Sequence, residues 1–152
     1  MAKENFEKSI KEQGTNLEIL TLPQSTRTAL EAANTIGCEL GQIAKSIIFK
    51  TESSKAILVI ASGANHINEK KIEALIEEKI GKADADFVKE KTGFTIGGVP
   101  PTGHIEKIIT LIDEDLFRYQ EIWAAAGNPN SVFKLLPEQL LKMTCGQVIK
   151  IK

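Results

Sequence analysis

The stretch Gly97-Gly98-Val99-Pro100-Pro101-Thr102-Gly103-His104 holds the densest set of residues with chemical potential in the chain. Two adjacent glycines let the backbone take positive φ and come close to a ligand. Pro100 and Pro101 stiffen the second half of the stretch and remove two N–H donors, which leaves the amides of Gly97 to Val99 available. Such a loop can present rigid N–H groups to a carbonyl oxygen, and it can equally be a tight turn at a strand end. It is not a nucleotide loop, because neither Gly-x-x-x-x-Gly-Lys-Ser/Thr nor Gly-x-Gly-x-x-Gly is present. Lys45 stands between Gly41-Gln-Ile-Ala and Ile47-Ile-Phe, where a strand end can aim it into a cleft or leave it as a solvated edge residue. His104 titrates near neutrality and could act as a general base, yet no Asp or Cys adjoins it and a loop-capping role fits as well. His66 carries the same two readings.

A third stretch, Ala124-Ala-Ala-Gly127-Asn128-Pro129-Asn130-Ser131, combines small residues with turn formers. It can line a narrow pocket, join two strands, or do both. No Gly-x-Ser-x-Gly elbow exists, and Ser25, Ser46, Ser53, Ser54, Ser62 and Ser131 have no recognisable base partner, which disfavours acyl-enzyme chemistry. The acid pairs Asp84/Asp86 and Asp113/Asp115 read as solvated groups in turns or caps. Cys38 and Cys145 lie far apart and read as buried thiols of a reducing cytosol, and with only His66 and His104 beside them a structural zinc site lacks its ligands. No metal or other cofactor is expected.

These residues need elements to position them. Residues 5–13 can form a short polar helix ended by Gly14, followed by the apolar Leu17 to Leu22. Ser25 can cap a helix running through Ala29, Ala32, Ala33 and Ile36 to Gly37. Ser46 to Lys50 and Lys55 to Ala61 read as a hairpin around Thr51-Glu-Ser-Ser, the second strand apolar on both faces and hence central. Asn68 can cap a helix with Ile72, Leu75, Ile76 and Ile80 on one stripe, ending at Gly81. A shorter helix spans about Asp86 to Lys91 and stops at Gly93. Strands are expected at Lys107 to Ile112, Glu121 to Ala125, Val132 to Leu135 and Gln147 to Ile151, with a Pro137-initiated helix leading to Gly146. Hairpin-length links favour an α+β domain with a mixed, largely antiparallel sheet packed with helices over a doubly wound layout.

Composition sets the outer bounds. The chain has 152 residues, 42% of them hydrophobic, with 20 acidic and 19 basic side chains and a formal charge of −1. That length buries roughly two-thirds of the unfolded surface in one core, so neither disulfides nor metal are needed to hold it. A neutral balance excludes duplex-coating proteins and confines any nucleic-acid contact to a local patch. The charged start Met-Ala-Lys-Glu-Asn-Phe-Glu-Lys lacks the apolar stretch of an export signal, and the longest apolar run, Ala56 to Ala61, is strand-length. A soluble cytoplasmic protein with no membrane or DNA partner is the expectation.

Four motifs, in order, closely resemble the YbaK/EbsC-like family of aminoacyl-tRNA deacylases, which includes the editing domain of bacterial prolyl-tRNA synthetase. They are Thr28-Ala-Leu-Glu-Ala-Ala, Gly41-Gln-Ile-Ala-Lys45-Ser-Ile-Ile-Phe, Gly97-Gly-Val-Pro-Pro101-Thr-Gly-His104 and Trp123-Ala-Ala-Ala-Gly-Asn-Pro-Asn. The resemblance covers about residues 20–151. It implies a YbaK-like domain over 17–152, with a mixed, partly barrel-like sheet, behind an amino-terminal extension of 1–16. It also implies hydrolysis of the ester of tRNA charged with a wrong amino acid, most often proline tRNA. Carried over residue by residue, it puts the family lysine on Lys45 and the Gly-x-x-x-Pro loop on Gly97 to Pro101. The amides of Gly97, Gly98 and Val99 would then hold the ester carbonyl, and Lys45 would position the terminal adenosine or aminoacyl group. Pro101, Gly103, His104, Gly127 and Asn128 fall on substrate-binding segments. Water would be activated largely by the substrate's own ribose hydroxyl. The Val-Pro-Pro-Thr-Gly-His sequence departs from the Cys-tRNA deacylase branch and leaves cysteine, alanine or a short unbranched analogue as candidate side chains. The implied partners are aminoacylated tRNA and prolyl-tRNA or another synthetase. The rival reading is a non-catalytic module that binds charged tRNA ends or a synthetase.

Overall fold

The computed structural model describes residues 2–12, 17–23 and 28–152. Its elements in order are α1 (Ala2–Glu12), β1 (Ile19–Thr21), α2 (Ala29–Ile36), β2 (Ile43–Thr51), β3 (Ala56–Ser62), α3 (Glu69–Ile76), β4 (Ile80–Lys82), α4 (Ala85–Thr92), β5 (Ile109–Asp113), β6 (Ile122–Ala125), β7 (Ser131–Leu135), α5 (Pro137–Thr144) and β8 (Gln147–Ile149). Short 3-10 turns at Leu40–Gln42 and Glu114–Arg118 complete it. The fold is α+β, with one mixed eight-stranded sheet in the order β1-β7-β6-β2-β3-β5-β8 and β4 joined to β2. Pairing is antiparallel for β1–β7, β2–β3, β2–β4 and β6–β7 and parallel for β2–β6, β3–β5 and β5–β8. The parallel step from β3 to β5 requires a crossover, and α3 and α4 supply it.

The expected hairpin of β2 and β3 is present, and β3 lies between β2 and β5 with Ile57 through Ser62 all buried. Side chains alternate between the two faces of the sheet. On one face Phe49, Ile57, Val59 and Ala61 pack with Ile72 of α3, and Ile43 packs with the alanines of α2. On the other, Ala44, Ile48, Leu58 and Ile60 pack with α1, α4 and α5 through Phe6, Val88 and Leu140.

Several sequence expectations change. The cap of α2 is Thr28, whose hydroxyl accepts from the Glu31 amide, while Ser25 and Gly14 lie outside the described residues. α3 ends at Glu77 in the left-handed conformation, so Ile80 and Gly81 belong to β4 and not to the helix. The cause is tertiary: Phe49, Lys50 and Thr51 offer β4 a strand edge, and Glu73 accepts the Ile80 amide at 2.9 Å. β2 begins at Ile43, which puts Lys45 inside a strand, opposite Ala61, and not at its start. The thiols are not both buried, since Cys38 is half-buried and Cys145 exposed, and neither is bonded to the other.

Asp113 and Asp115 are not solvated: they are only 1% and 8% exposed. Asp113 accepts the Ser62 amide and Asn65 Nδ2, and the same Asn65 nitrogen reaches Asp115 at 2.8 Å. Asp115 is paired with Arg118 and Lys152. The Asn65 hydrogen bond and Lys152 hold its carboxyl below the usual range. A buried carboxylate is tolerable only when hydrogen-bonded, and this network ties the ends of β3 and β5 together.

Candidate active site

β2 has two edges with different partners. Its β3 edge is paired from Ala44 to Lys50. Its other edge pairs with β6 at Ile43 and Ala44 and with β4 from Phe49 to Thr51, so residues 45–48 have no strand beside them. At this split the sheet opens into a cavity of about 270 Å³. Ala29 and Ala32 of α2, Ile43, Ala124 and Ala125 give it a floor of small or apolar side chains, and Val88, Trp123 and Val132 wall it. Alanines at 29 and 32 leave space where larger residues would fill the gap.

The loop of residues 94–104 reaches the same cavity. Both ends are held at the carboxyl end of α4: buried Thr92 donates to the Val88 carbonyl and accepts the Phe94 amide, and the Ile105 amide donates to the Thr92 carbonyl at 3.1 Å. Within it, the Gly98 amide donates to the Thr95 carbonyl at 2.9 Å, and Gly97 sits at φ +90. This is a type II turn with glycine at the position that demands positive φ. Gly97 and Val99 line the cavity, and among the described residues their amides make no hydrogen bond. The Gly98 amide is already committed to the turn, which corrects its expected use as a donor. Gly98 instead allows close approach: a Cβ there would lie 2.7 Å from Asn128 Cα.

Lys45 lines the cavity, and among the described residues its ammonium has no ion pair or hydrogen bond. Lys82 of β4 also lines it, and no described lining residue is acidic. The cavity is therefore apolar in its floor, cationic at two points and equipped with two free amides. That combination suits a group that develops negative charge on a carbonyl oxygen.

Other expected site residues stand behind the wall. His104 is turned away, with Nε2 donating to the Pro100 carbonyl at 2.7 Å and its ring edge-on to Phe94 at 6.3 Å. Burial pushes its pKa below the ordinary value of 6.5, so the neutral ring serves as a brace for the loop. Pro101 is buried beside it, and Gly103 packs on Ser9 and Phe6 of α1. Gly127 and Asn128 form the turn between β6 and β7, where Asn128 Oδ1 accepts the Asn130 amide at 3.2 Å. Asn128 packs against Gly98, and neither Gly127 nor Asn128 lines the cavity. His66 is exposed and does not line the cavity.

Sequence reasoning missed Lys82, Ser46 and the alanine face of α2. Lys82 was hidden by the assignment of Ile80 and Gly81 to a helix. The spacing Ala29, Ala32, Ala33 was visible, but small residues on a helix read as close packing until a cavity is seen beneath them. Among the described residues no group of three His, Cys, Asp or Glu side chains gathers as metal ligands, and no helix is long and apolar enough to cross a membrane.

Known proteins share both the sequence and the fold. Residues 23–143 match the aminoacyl-tRNA editing domain family. The uncharacterised YwhH of Bacillus subtilis is 34% identical over 131 residues, 86% of this chain and 83% of that protein. EbsC of Enterococcus faecalis, provisionally named a Cys-tRNA(Pro)/Cys-tRNA(Cys) deacylase, is 26% identical over 82% of this chain and 76% of its own length. A crystal structure described as that of a candidate trans-editing enzyme for prolyl-tRNA synthetase superposes with a TM-score of 0.93 at 40% identity, covering 99% of this chain and 96% of the other.

Proposed function

Because the chain belongs to the aminoacyl-tRNA editing domain family, we propose that it is a trans-editing hydrolase that removes a small, wrongly attached amino acid from tRNA, proline tRNA first among the candidates. The observation that carries this reading is the meeting of the Gly97–Val99 turn and unpaired Lys45 at one cavity in the split of the sheet. The acyl carbonyl lies against the amides of Gly97 and Val99, which stabilise the oxyanion as water adds to the carbonyl carbon. Lys45 holds the terminal adenosine or the acyl group in line. The ester C–O bond then breaks and its oxygen takes a proton, which leaves a free amino acid and a free ribose hydroxyl.

No described carboxylate, thiol or imidazole lines the cavity to accept the proton of water, which supports a role for the neighbouring ribose hydroxyl of the substrate. Positioning of water, hydroxyl and ester then supplies the acceleration. A cavity of about 270 Å³ shared with part of the adenosine suits a small side chain such as that of alanine or cysteine. The proposal puts the protein in the cytoplasm, with aminoacylated tRNA as substrate and a synthetase such as prolyl-tRNA synthetase as its functional partner.

A panel of mischarged tRNAs tests it: alanine and cysteine on proline tRNA, and serine on alanine tRNA, each followed by release of amino acid. Ester loss with a small residue on proline tRNA is the expected outcome. Tight binding of charged tRNA with no release would select a binding module instead.

A further inference from the structure

The loop of residues 94–104 is held from behind as well as at its ends. Thr92 anchors both ends, Asn128 meets Gly98, and Thr102 Oγ1 donates to the Met143 carbonyl at 3.4 Å. A further support comes from α1. Gly103 sits at φ +85, and a Cβ there would lie 3.2 Å from Ser9 Cβ and Oγ and 3.6 Å from Phe6 Cδ1. Glycine is thus required here both by the backbone angle and by the close approach of the helix. Thr92, Asn128 and Met143 fall within the matched segment of residues 23–143, whereas α1 precedes it.

Contact at Gly103 reaches the cavity by a stiff path. Phe6 is fully buried and Ile10 nearly so, which seats α1 in the core cluster that also holds Phe94, Val99 and Ala126. Val99 is both a member of that cluster and a lining residue of the cavity. Between Val99 and Gly103 stand Pro100 and Pro101, whose rings fix φ. The His104 ring closes the segment by donating from Nε2 to the Pro100 carbonyl at 2.7 Å. A segment braced in this way moves as a body, so a displacement at Gly103 is passed on to Val99. We infer that α1 is a positioning element for the amides of Gly97 and Val99, with Ser9 and Phe6 the residues that set it. This rests on the editing reading and deepens it: Ser9 and Phe6 do not line the cavity, and they act on turnover by holding the oxyanion donors in place. A misplacement of about 1 Å far from the chemistry can cost on the order of a hundredfold in rate, so a shift too small to unfold the domain is enough.

The test compares three full-length variants with the wild type. Ser9→Leu pushes on Gly103, and Phe6→Ala withdraws the support of α1. Ile72→Ala is the control, because it opens a hole on the opposite face of the sheet, in the cluster with Phe49, Val59 and Ala61. Each is assayed on alanyl and cysteinyl proline tRNA at a temperature where thermal melts show it folded. In Ser9→Leu and Phe6→Ala kcat should fall roughly tenfold or more while KM stays within about twofold. In Ile72→Ala both constants should stay near the wild-type values. Amide NMR gives a readout independent of turnover: the Gly97 and Val99 resonances should shift in Ser9→Leu and Phe6→Ala and keep their positions in Ile72→Ala. Should Phe6→Ala not fold, Ser9→Leu decides alone. Unchanged kcat in the α1 variants, or an equal loss in Ile72→Ala, would overturn the positioning role and leave the editing reading intact. A wild type that hydrolyses neither ester, with the amide shifts as expected, would remove the editing reading and keep the coupling of α1 to the loop.

Discussion

At the scale of single residues, the cavity separates groups that line it from groups that hold them. Lys45 has no ion pair or hydrogen bond among the described residues, so its removal costs the fold little. Lys45→Ala should lower deacylation by about two orders of magnitude or more while shifting the melting temperature by no more than a degree or two, as measured by parallel kinetics and thermal melts. Gly98 is a holder: a methyl group there meets the Asn128 backbone at 2.7 Å. Gly98→Ala should therefore destabilise by about 1–3 kcal/mol and also displace the Gly97 and Val99 amides, so that kcat/KM falls further than the stability loss alone explains. His104 is also a holder, and its pKa lies below 6.5 because burial disfavours the charged ring. The unfolded chain thus binds that proton more readily, and the stability His104 contributes is complete above pH 6.5 and is lost as pH falls from there through the folded value. Urea unfolding at successive pH values should show this decline in the wild type and lose it in His104→Gln. The two histidines and the paired glycines could be singled out from sequence; which of them bears on the cavity could not, because the direction of the His104 ring is set by the Pro100 carbonyl and Phe94.

At the scale of elements, α1 has a larger part than its polar composition suggests. Phe6 is fully buried, its ring centroid 4.9 Å from that of Phe133, and Ile10 lies in the same core cluster. The same helix carries Ser9 against Gly103, behind the loop of residues 94–104. Phe6→Ala should cost about 3–5 kcal/mol, read as a lowered urea midpoint, and should also weaken deacylation at temperatures where the fold persists. Two apolar residues four apart in a charged helix are legible as a narrow stripe, but not what they meet. The α3 boundary shows the reverse error. Ile80 continues the helical spacing of Ile72 and Ile76, yet it forms a strand because β2 offers an edge there, and helical periodicity carries no information about a strand edge contributed from elsewhere in the chain.

At the scale of the molecule, the formal charge is −1, and the cations at the cavity are local. On the proposed tRNA reading, a net charge near zero gives no overall cationic field, so few phosphate contacts are expected. Affinity for uncharged tRNA should be weak, with a slope of log K against log salt of magnitude below about 3, corresponding to three or fewer phosphate contacts. A steep slope would mean that the protein grips much more than the acceptor end.

Sequence by itself determined the fold class, most of the elements, and the two segments that converge on the cavity, because hydrophobic period, turn residues and the Gly97–Pro101 pattern are local signals. Tertiary structure alone decided that β2 changes partners between Ala44 and Phe49, that this split opens a cavity, and that Ser46 and Lys82 face it. It decided as well that Gly98 is occupied within its own turn, and that Asp113 and Asp115 are buried in a network joined by Asn65. The reason is common to all of these. Each depends on which distant segment lies beside a given residue, and strand pairing and burial are set by the whole packed chain, not by the residues next to it in sequence.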